Sequence, residues 1–288
     1  MEKLQAIGAP FNIKFSSCSD IKPKLFEWTE EEQPIKVFID GGIISGLGYE
    51  KKPEEKKIAW VCESRSIFHT MHIPRDSWEK NIENICEHYD IVFTSEKSML
   101  SSHPKIQFAF AGSNLPWSKP LSNNIEKTKF CSMVSSAKNY AYGHRLRHVI
   151  AETYKDYIDL YGGIAGSEKT VGVDRWDKTQ GILDYMFTFV VENDSYSTYY
   201  TEKLTDAFKM GTIPVYWGAP DIGEHFNIDG MVILHKEFDI RSLTKELYES
   251  KLDAVIDNYN RVKNLEMSDD YLYRKIKEYA NRDNFILL

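Results

Sequence analysis

The chain has no long apolar run, few cysteines and no concentration of positive charge. Each absence narrows what it can be. No stretch approaches the roughly 18 apolar residues that a membrane-spanning helix needs, and the N-terminus MEKLQAIGAPF lacks the pattern of a secretory leader. A cytoplasmic protein, at most peripheral to a membrane, is expected. The four cysteines (Cys18, Cys62, Cys86, Cys131) are scattered and form no C-x-x-C pair. That argues against a zinc knuckle or dithiol motif and predicts free thiols in a reducing compartment. The net charge is −7 and the pI about 5.7, with no basic tract, so nucleic-acid binding is disfavoured. No internal repeat or low-complexity segment is visible.

Several catalytic signatures are missing too. GGIISG (41–46) has P-loop-like glycine spacing, but it continues into Leu47-Gly48 without the phosphate lysine and magnesium hydroxyl. It reads as a turn. HRLRH sets His144 and His148 at i, i+4, yet it lacks the glutamate of a zinc helix. Two helix-surface histidines are expected there. There is no D-x-D motif, and Asp174-Arg-Trp-Asp177 has the wrong spacing, so no metal site is expected. No G-x-S-x-G elbow suggests a hydrolase.

What is present is an α/β pattern. A length of 288 residues favours two domains, and 42% hydrophobic with 13% aromatic residues supplies a substantial core. Strands are expected at 35–39, 58–62, 90–94 and 106–111, with a helix whose inner face carries Trp78, Ile82, Ile85 and Cys86. The aperiodic SNLPWSKPLSNN (113–124) reads as a linker. Beyond it come strands at 129–135, 157–161, 186–191, 213–217 and 231–235, then a mostly helical C-terminus. The expected division is residues 1–120 as an N-terminal α/β domain and 121–288 as a second α/β domain with C-terminal helices.

The densest signal is FTFVVENDSYSTYYTEKLTDAFKMGTIPVYWG (187–218): a buried strand, a polar loop, a helix stopped at Gly211, and a second strand. A parallel sheet puts such a loop and helix start at the carboxyl ends of its strands, where nucleotides bind. Glu202 and Lys203 open that helix. The first can accept hydrogen bonds from sugar hydroxyls, and the second can meet a phosphate. Arg145, in SSAKNYAYGHRLRH, is a second candidate cation, with Arg147 as its competitor.

The pattern E-N, a short loop, Y-x-T-E-K, an apolar helix and T-I-P-V-Y-W-G resembles the donor signature of the family 10 glycosyltransferases, the α-1,3/α-1,4-fucosyltransferases, most of all their bacterial members. The resemblance runs from about Phe130 to Phe238, and more loosely over 57–112. It implies a GT-B-like fold of two facing doubly wound domains. It implies an inverting transfer of fucose from GDP-fucose to a glycan acceptor, without a metal, in a bacterial-type or viral cytosolic enzyme. It places a phosphate-binding arginine in the segment SSAKNYAYGHRLRH, where Arg145 fits best and Arg147 is the competitor, and donor contacts at Asn193 and Tyr199. Tyr196 and Tyr200 are read as loop packing. It makes Glu63 the general base, although the family's E-S-P is Glu63-Ser64-Arg65 here; Glu96 is the fallback. Transfer of another GDP-sugar, or a catalytically dead sugar-binding relative, are the alternatives.

Overall fold

The computed structural model describes residues 1–8, 17, 21–68, 77–117, 126–164 and 178–282. The chain forms two compact units. One comprises 1–114 together with 266–288, the other 115–265. The first crossing falls after Asn114, inside the 113–124 segment and before the expected boundary at 120, and the chain returns at Glu266. The last helix therefore belongs to the first unit, not to the second as expected.

Among the described residues the strands are β1 (Lys3–Ile7), β2 (Glu27–Thr29), β3 (Ile35–Ile39), β4 (Lys56–Val61), β5 (Ile91–Thr94), β6 (Ile106–Phe108), β7 (Lys129–Val134), β8 (Asp159–Tyr161), β9 (Tyr185–Val191), β10 (Ile213–Trp217) and β11 (Val232–Ile233). The helices are α1 (Gly41–Leu47), α2 (Arg65–Phe68), α3 (Ser77–His88), α4 (Tyr142–Tyr154), α5 (Thr179–Ile182), α6 (Glu202–Lys209), α7 (Lys245–Ser250), α8 (Leu252–Lys263) and α9 (Ser268–Arg282).

In the first unit a parallel sheet runs β2-β1-β3-β4-β5-β6. Its central strands β3, β4 and β5 are mostly apolar and buried on both faces, as a covered parallel sheet requires. Alternation sends Val37, Ile39, Ile58 and Trp60 to one core with Leu272 and Ile276 of α9. Phe38, Ala59 and Val61 go to the other, with Ile82, Ile85 and Cys86 of α3. The first turn of α9 is held by its acids. Asp269 accepts from Ser17 N–H (3.0 Å) and Trp28 Nε1–H (2.6 Å), and Asp270 from Lys24 N–H (2.9 Å).

Two strands precede those expected from the sequence, and one expected turn is a helix. KLQAI and EWT are strands, although Lys3, Gln5 and Glu27 hid their pattern. GGIISGL is a helix rather than a turn. Its glycines serve close approach: a Cβ on Gly42 would lie 2.2 Å from the Ile7 carbonyl oxygen.

The second unit holds a parallel sheet in the order β11-β10-β9-β7-β8. Phe187, Phe189, Val191, Ile213 and Val215 form its core with Ile150 of α4 and Val255 of α8. Counted from its own first strand, this is the order 2-1-3-4-5, the same as the first five strands of the first sheet. In such sheets the order reverses between the first and third strands, and ligands bind outside the carboxyl ends there. In the second unit that point lies between β7 and β9.

Candidate functional site

Beyond Val191 the chain turns through Glu192 and Asn193, and α4 is packed against this turn. Arg147 donates from Nε (3.0 Å) and Nη2 (2.5 Å) to the Val191 carbonyl, and from Nη2 to Asn193 Oδ1 (3.0 Å). Gly143 N–H donates to the Asn193 carbonyl (3.1 Å). A Cβ on Gly143 would lie 1.7 Å from the Glu192 carbonyl oxygen, so glycine is what lets the helix start come this close.

Glu192 is fully buried. Its carboxylate accepts the N–H (2.9 Å) and O–H (2.8 Å) of Thr201 and lies 3.5 Å from Lys203 Nζ. Thr201 caps α6, its Oγ1 accepting from Lys203 N–H. Lys203 Nζ donates to the same Oγ1 (2.9 Å) and sits 3.4 Å from Glu202. The ammonium is thus braced between two acids, while its side chain keeps 25% of its exposure.

Glu202 is buried against Lys178 Nζ (3.0 Å). Lys178 also reaches Asp206 (3.1 Å) and lies 4.9 Å from the centre of a Trp117 ring. Burial alone would raise the Glu202 pKa, but Lys178 and Lys203 outweigh it and hold the carboxyl down at about 2. On α4, burial first, then the charges of Arg147, Lys138 and Lys203, push His144 down to about 3. The imidazole is therefore neutral, and its Nδ1 accepts Ala141 N–H (3.2 Å).

The loop is pinned across the end of β10. Ser195 Oγ donates to the Gly218 carbonyl (2.7 Å), and Thr198 N–H, at φ +65°, to Asp221 Oδ1 (2.7 Å). Beside it lies a cleft of about 510 Å3 lined by Ser195, Trp217, Gly218, Asp221, Ile233 and Leu234. The exposed ring of Tyr142 stacks on Trp217 with centroids 5.3 Å apart. Chemically, the turn combines two cations, a polar amide and the N-terminus of a helix. That combination suits a phosphorylated ligand.

The family model for glycosyltransferase family 10 (fucosyltransferase), C-terminal part, matches residues 124–278, more than half of the chain. The chain belongs to glycosyltransferase family 10. The α-(1,3)-fucosyltransferase FucT of Helicobacter pylori is 31% identical over 115 residues, which are 39% of this chain and 23% of the relative. The chain therefore matches less than a quarter of that relative's length. Among solved structures, an α1,3-fucosyltransferase has a TM-score of 0.53 at 15% identity, covering 98% of this chain and 88% of its own. An α1,3-fucosyltransferase with GDP scores 0.52 at 12% identity, covering 93% and 92%. TarM scores 0.51 at 10% identity, covering 85% and 54%. These likenesses carry the fold, which is of the GT-B class.

The matched segment of this family 10 glycosyltransferase contains every expected donor-site residue but not Glu63. The structure brings Asn193, Glu202 and Lys203 together, and the arginine beside them is Arg147. Arg145 is exposed, and its Nη1 donates to the Tyr140 carbonyl (3.0 Å). Tyr199 is fully buried with its ring 4.7 Å from that of Tyr196, so it offers no open stacking face. His144 is buried, not on the helix surface as expected. Asp174–Asp177 and Cys18 lie outside the described residues. Cys62, Cys86 and Cys131 are buried and unbridged. No helix among the described residues is long and apolar enough to cross a membrane.

Sequence reasoning missed Glu192 and Lys178. An acid directly after an apolar strand, nine residues before a capping threonine, was the available signal for Glu192. Nothing in its sequence context marks Lys178.

In the first unit Glu63 follows Cys62 at the carboxyl end of β4 and is half-buried. Arg65, in place of the family's proline, is the first residue of α2. Proline suits that helical position because its missing N–H has no partner there, and other residues adopt the same backbone. Glu96 is buried and accepts from Ser98 Oγ–H (2.6 Å).

Proposed function

We propose that this family 10 glycosyltransferase moves fucose from GDP-fucose to a glycan hydroxyl, with inversion at the anomeric carbon. The observation that carries the reading is Lys203 in the first turn of α6, braced by Glu192 and Glu202 beside a turn held by Arg147. The family match and the Helicobacter pylori relative support fucose as the sugar and an α-1,3 linkage.

In this reading Lys203, Arg147 and the N-terminus of α6 meet the diphosphate, Glu202 and Asn193 hold hydroxyls of the donor, and Glu63 is the base. The acceptor oxygen bonds to the anomeric carbon as the bond from that carbon to the phosphate oxygen breaks. The electron pair leaves with GDP, and the acceptor proton passes to Glu63. Fixed cations facing the leaving group stabilise the charge that develops on it, and no metal is required.

Calorimetric titration in EDTA with GDP, GDP-fucose, GDP-mannose, UDP and UDP-glucose tests it. Binding selective for GDP and GDP-fucose is expected. A preference for uridine nucleotides, or binding that returns only with Mn²⁺, overturns the reading.

A further inference from the structure

The carboxyl end of β3 carries an acid that the donor chemistry leaves unused. Asp40 is fully buried and joins β3 to α1 at φ +46° and ψ −110°. Residues other than glycine rarely adopt this conformation, and it persists only where surrounding contacts hold it. Those contacts are specific. Oδ1 accepts the N–H groups of Cys62 (2.8 Å) and Glu63 (3.1 Å), and Asp40 N–H donates to the Trp60 carbonyl (3.1 Å). Asp40 therefore ties the end of β3 to the turn after β4 that carries Glu63. It lies at the reversal of strand order in the first sheet, where Gly8 and Gly42 bring the end of β1 against the start of α1.

The other carboxyl oxygen, Oδ2, is buried and makes no hydrogen bond among the described residues. Among the described residues, the titratable groups acting on this corner are Glu63 and the Cys62 thiol on the turn after β4, and Asp269 of α9 acting on that thiol. A buried carboxylate among acids, with one oxygen unsolvated, is strongly disfavoured. Burial first, and then the charge of Glu63, push Asp40 up to about 8.

We propose that Asp40 is a positioning residue, a neutral acid that fixes the turn carrying Glu63 without setting a second negative charge beside it. The proposal rests on the reading of Glu63 as the base. A misplaced base loses rate without losing donor affinity.

The test is steady-state turnover of GDP-fucose, read as GDP release with a panel of oligosaccharide acceptors, for Asp40→Asn, Asp40→Gly and Glu63→Gln. Glycine relieves the backbone strain and removes the carboxyl together with its methylene. Asparagine keeps the accepting oxygen without the charge. Asp40→Gly is expected to lower kcat about 100-fold, with donor KM and GDP affinity held within about twofold. Asp40→Asn is expected to restore kcat to within about threefold and to leave the acid limb of the kcat profile unmoved. An unchanged kcat in Asp40→Gly overturns the proposal. So does an Asn variant as impaired as Gly, or one whose acid limb moves down by about one pH unit, the mark of a lost negative charge. If Glu63→Gln keeps full kcat, the base reading fails instead and takes this proposal with it.

Discussion

Arg147 and Asn193 are joined side chain to side chain, Nη2 to Oδ1 at 3.0 Å, across the gap between α4 and the turn after β9. The same guanidinium donates twice to the Val191 carbonyl, so the helix is locked to the last residue of the strand. A fork of this geometry cannot be reproduced by a point charge.

Removing it has two consequences. Arg147→Ala should lower the melting temperature and weaken GDP binding by about 10- to 100-fold, the scale of one or two charge-assisted hydrogen bonds. Arg147→Lys should recover less than half of that loss in free energy. Arg145→Ala should stay within about twofold of wild type, because that side chain is exposed and bonded only to a neighbouring carbonyl among the contacts described. Calorimetry on the three variants decides. A larger loss from Arg145→Ala would return the phosphate role to Arg145.

Unlike the buried Arg147, Lys203 combines partial exposure with a fixed position. Lys203→Met should cut GDP-fucose turnover by at least about 100-fold, as expected when a group stabilising the leaving charge is lost. Thr201 and Glu192 still bond each other in that variant, so the fold should persist. Turnover and donor affinity equal to wild type would remove Lys203 from the chemistry.

The low pKa of Glu202 makes a statement about acid stability. Its folded value of about 2 lies below the ordinary 4.5. The contribution to stability is therefore complete above pH 4.5 and is lost as the pH falls from 4.5 towards 2. For a group this buried the contribution is on the order of 3 kcal/mol. Glu202→Gln should be less stable than wild type near neutrality, and the difference should shrink below about pH 4. Denaturant unfolding at several pH values measures it; a difference that stays constant down to pH 3 contradicts the ion-pair account.

Much of this architecture could be read from the chain alone. Ile35–Ile39 and Ile213–Trp217 were placed to the residue, because short apolar runs bounded by turn residues are strands buried on both faces. The place of Glu202 and Lys203 at a helix start is legible because a polar, hydroxyl-rich loop after a buried strand leads into a helix in a parallel sheet. Arg147 outranks Arg145 only in three dimensions, since residues two apart on a helix point in different directions and the sequence does not say which face meets β9. Tyr199 failed as a stacking surface for a similar reason: a loop tyrosine is equally suited to packing or display. The return of α9 to the first unit depends on Asp269 and Asp270 finding partners some 240 residues earlier. No local pattern records a pairing of that range.

Gly143 offers the sharpest steric test of the donor turn. Its missing side chain lets the first turn of α4 approach the backbone at Glu192, where a Cβ would meet the carbonyl oxygen at 1.7 Å and the Asn193 carbonyl at 3.0 Å. Both obstacles are backbone, so neither can rotate away. Gly143→Ala must move the helix start or the turn, which lengthens the Gly143–Asn193 hydrogen bond and pulls Arg147 from its acceptors. Alanine would normally favour a helix by up to about 1 kcal/mol over glycine, whereas overpacking costs about 1–3 kcal/mol. The prediction is a net loss of stability together with at least a tenfold loss of GDP affinity. Gly163→Ala is the control, because a Cβ there meets nothing closer than 3.5 Å. If Gly143→Ala instead raises the melting temperature and keeps GDP affinity, α4 does not set the shape of the donor turn.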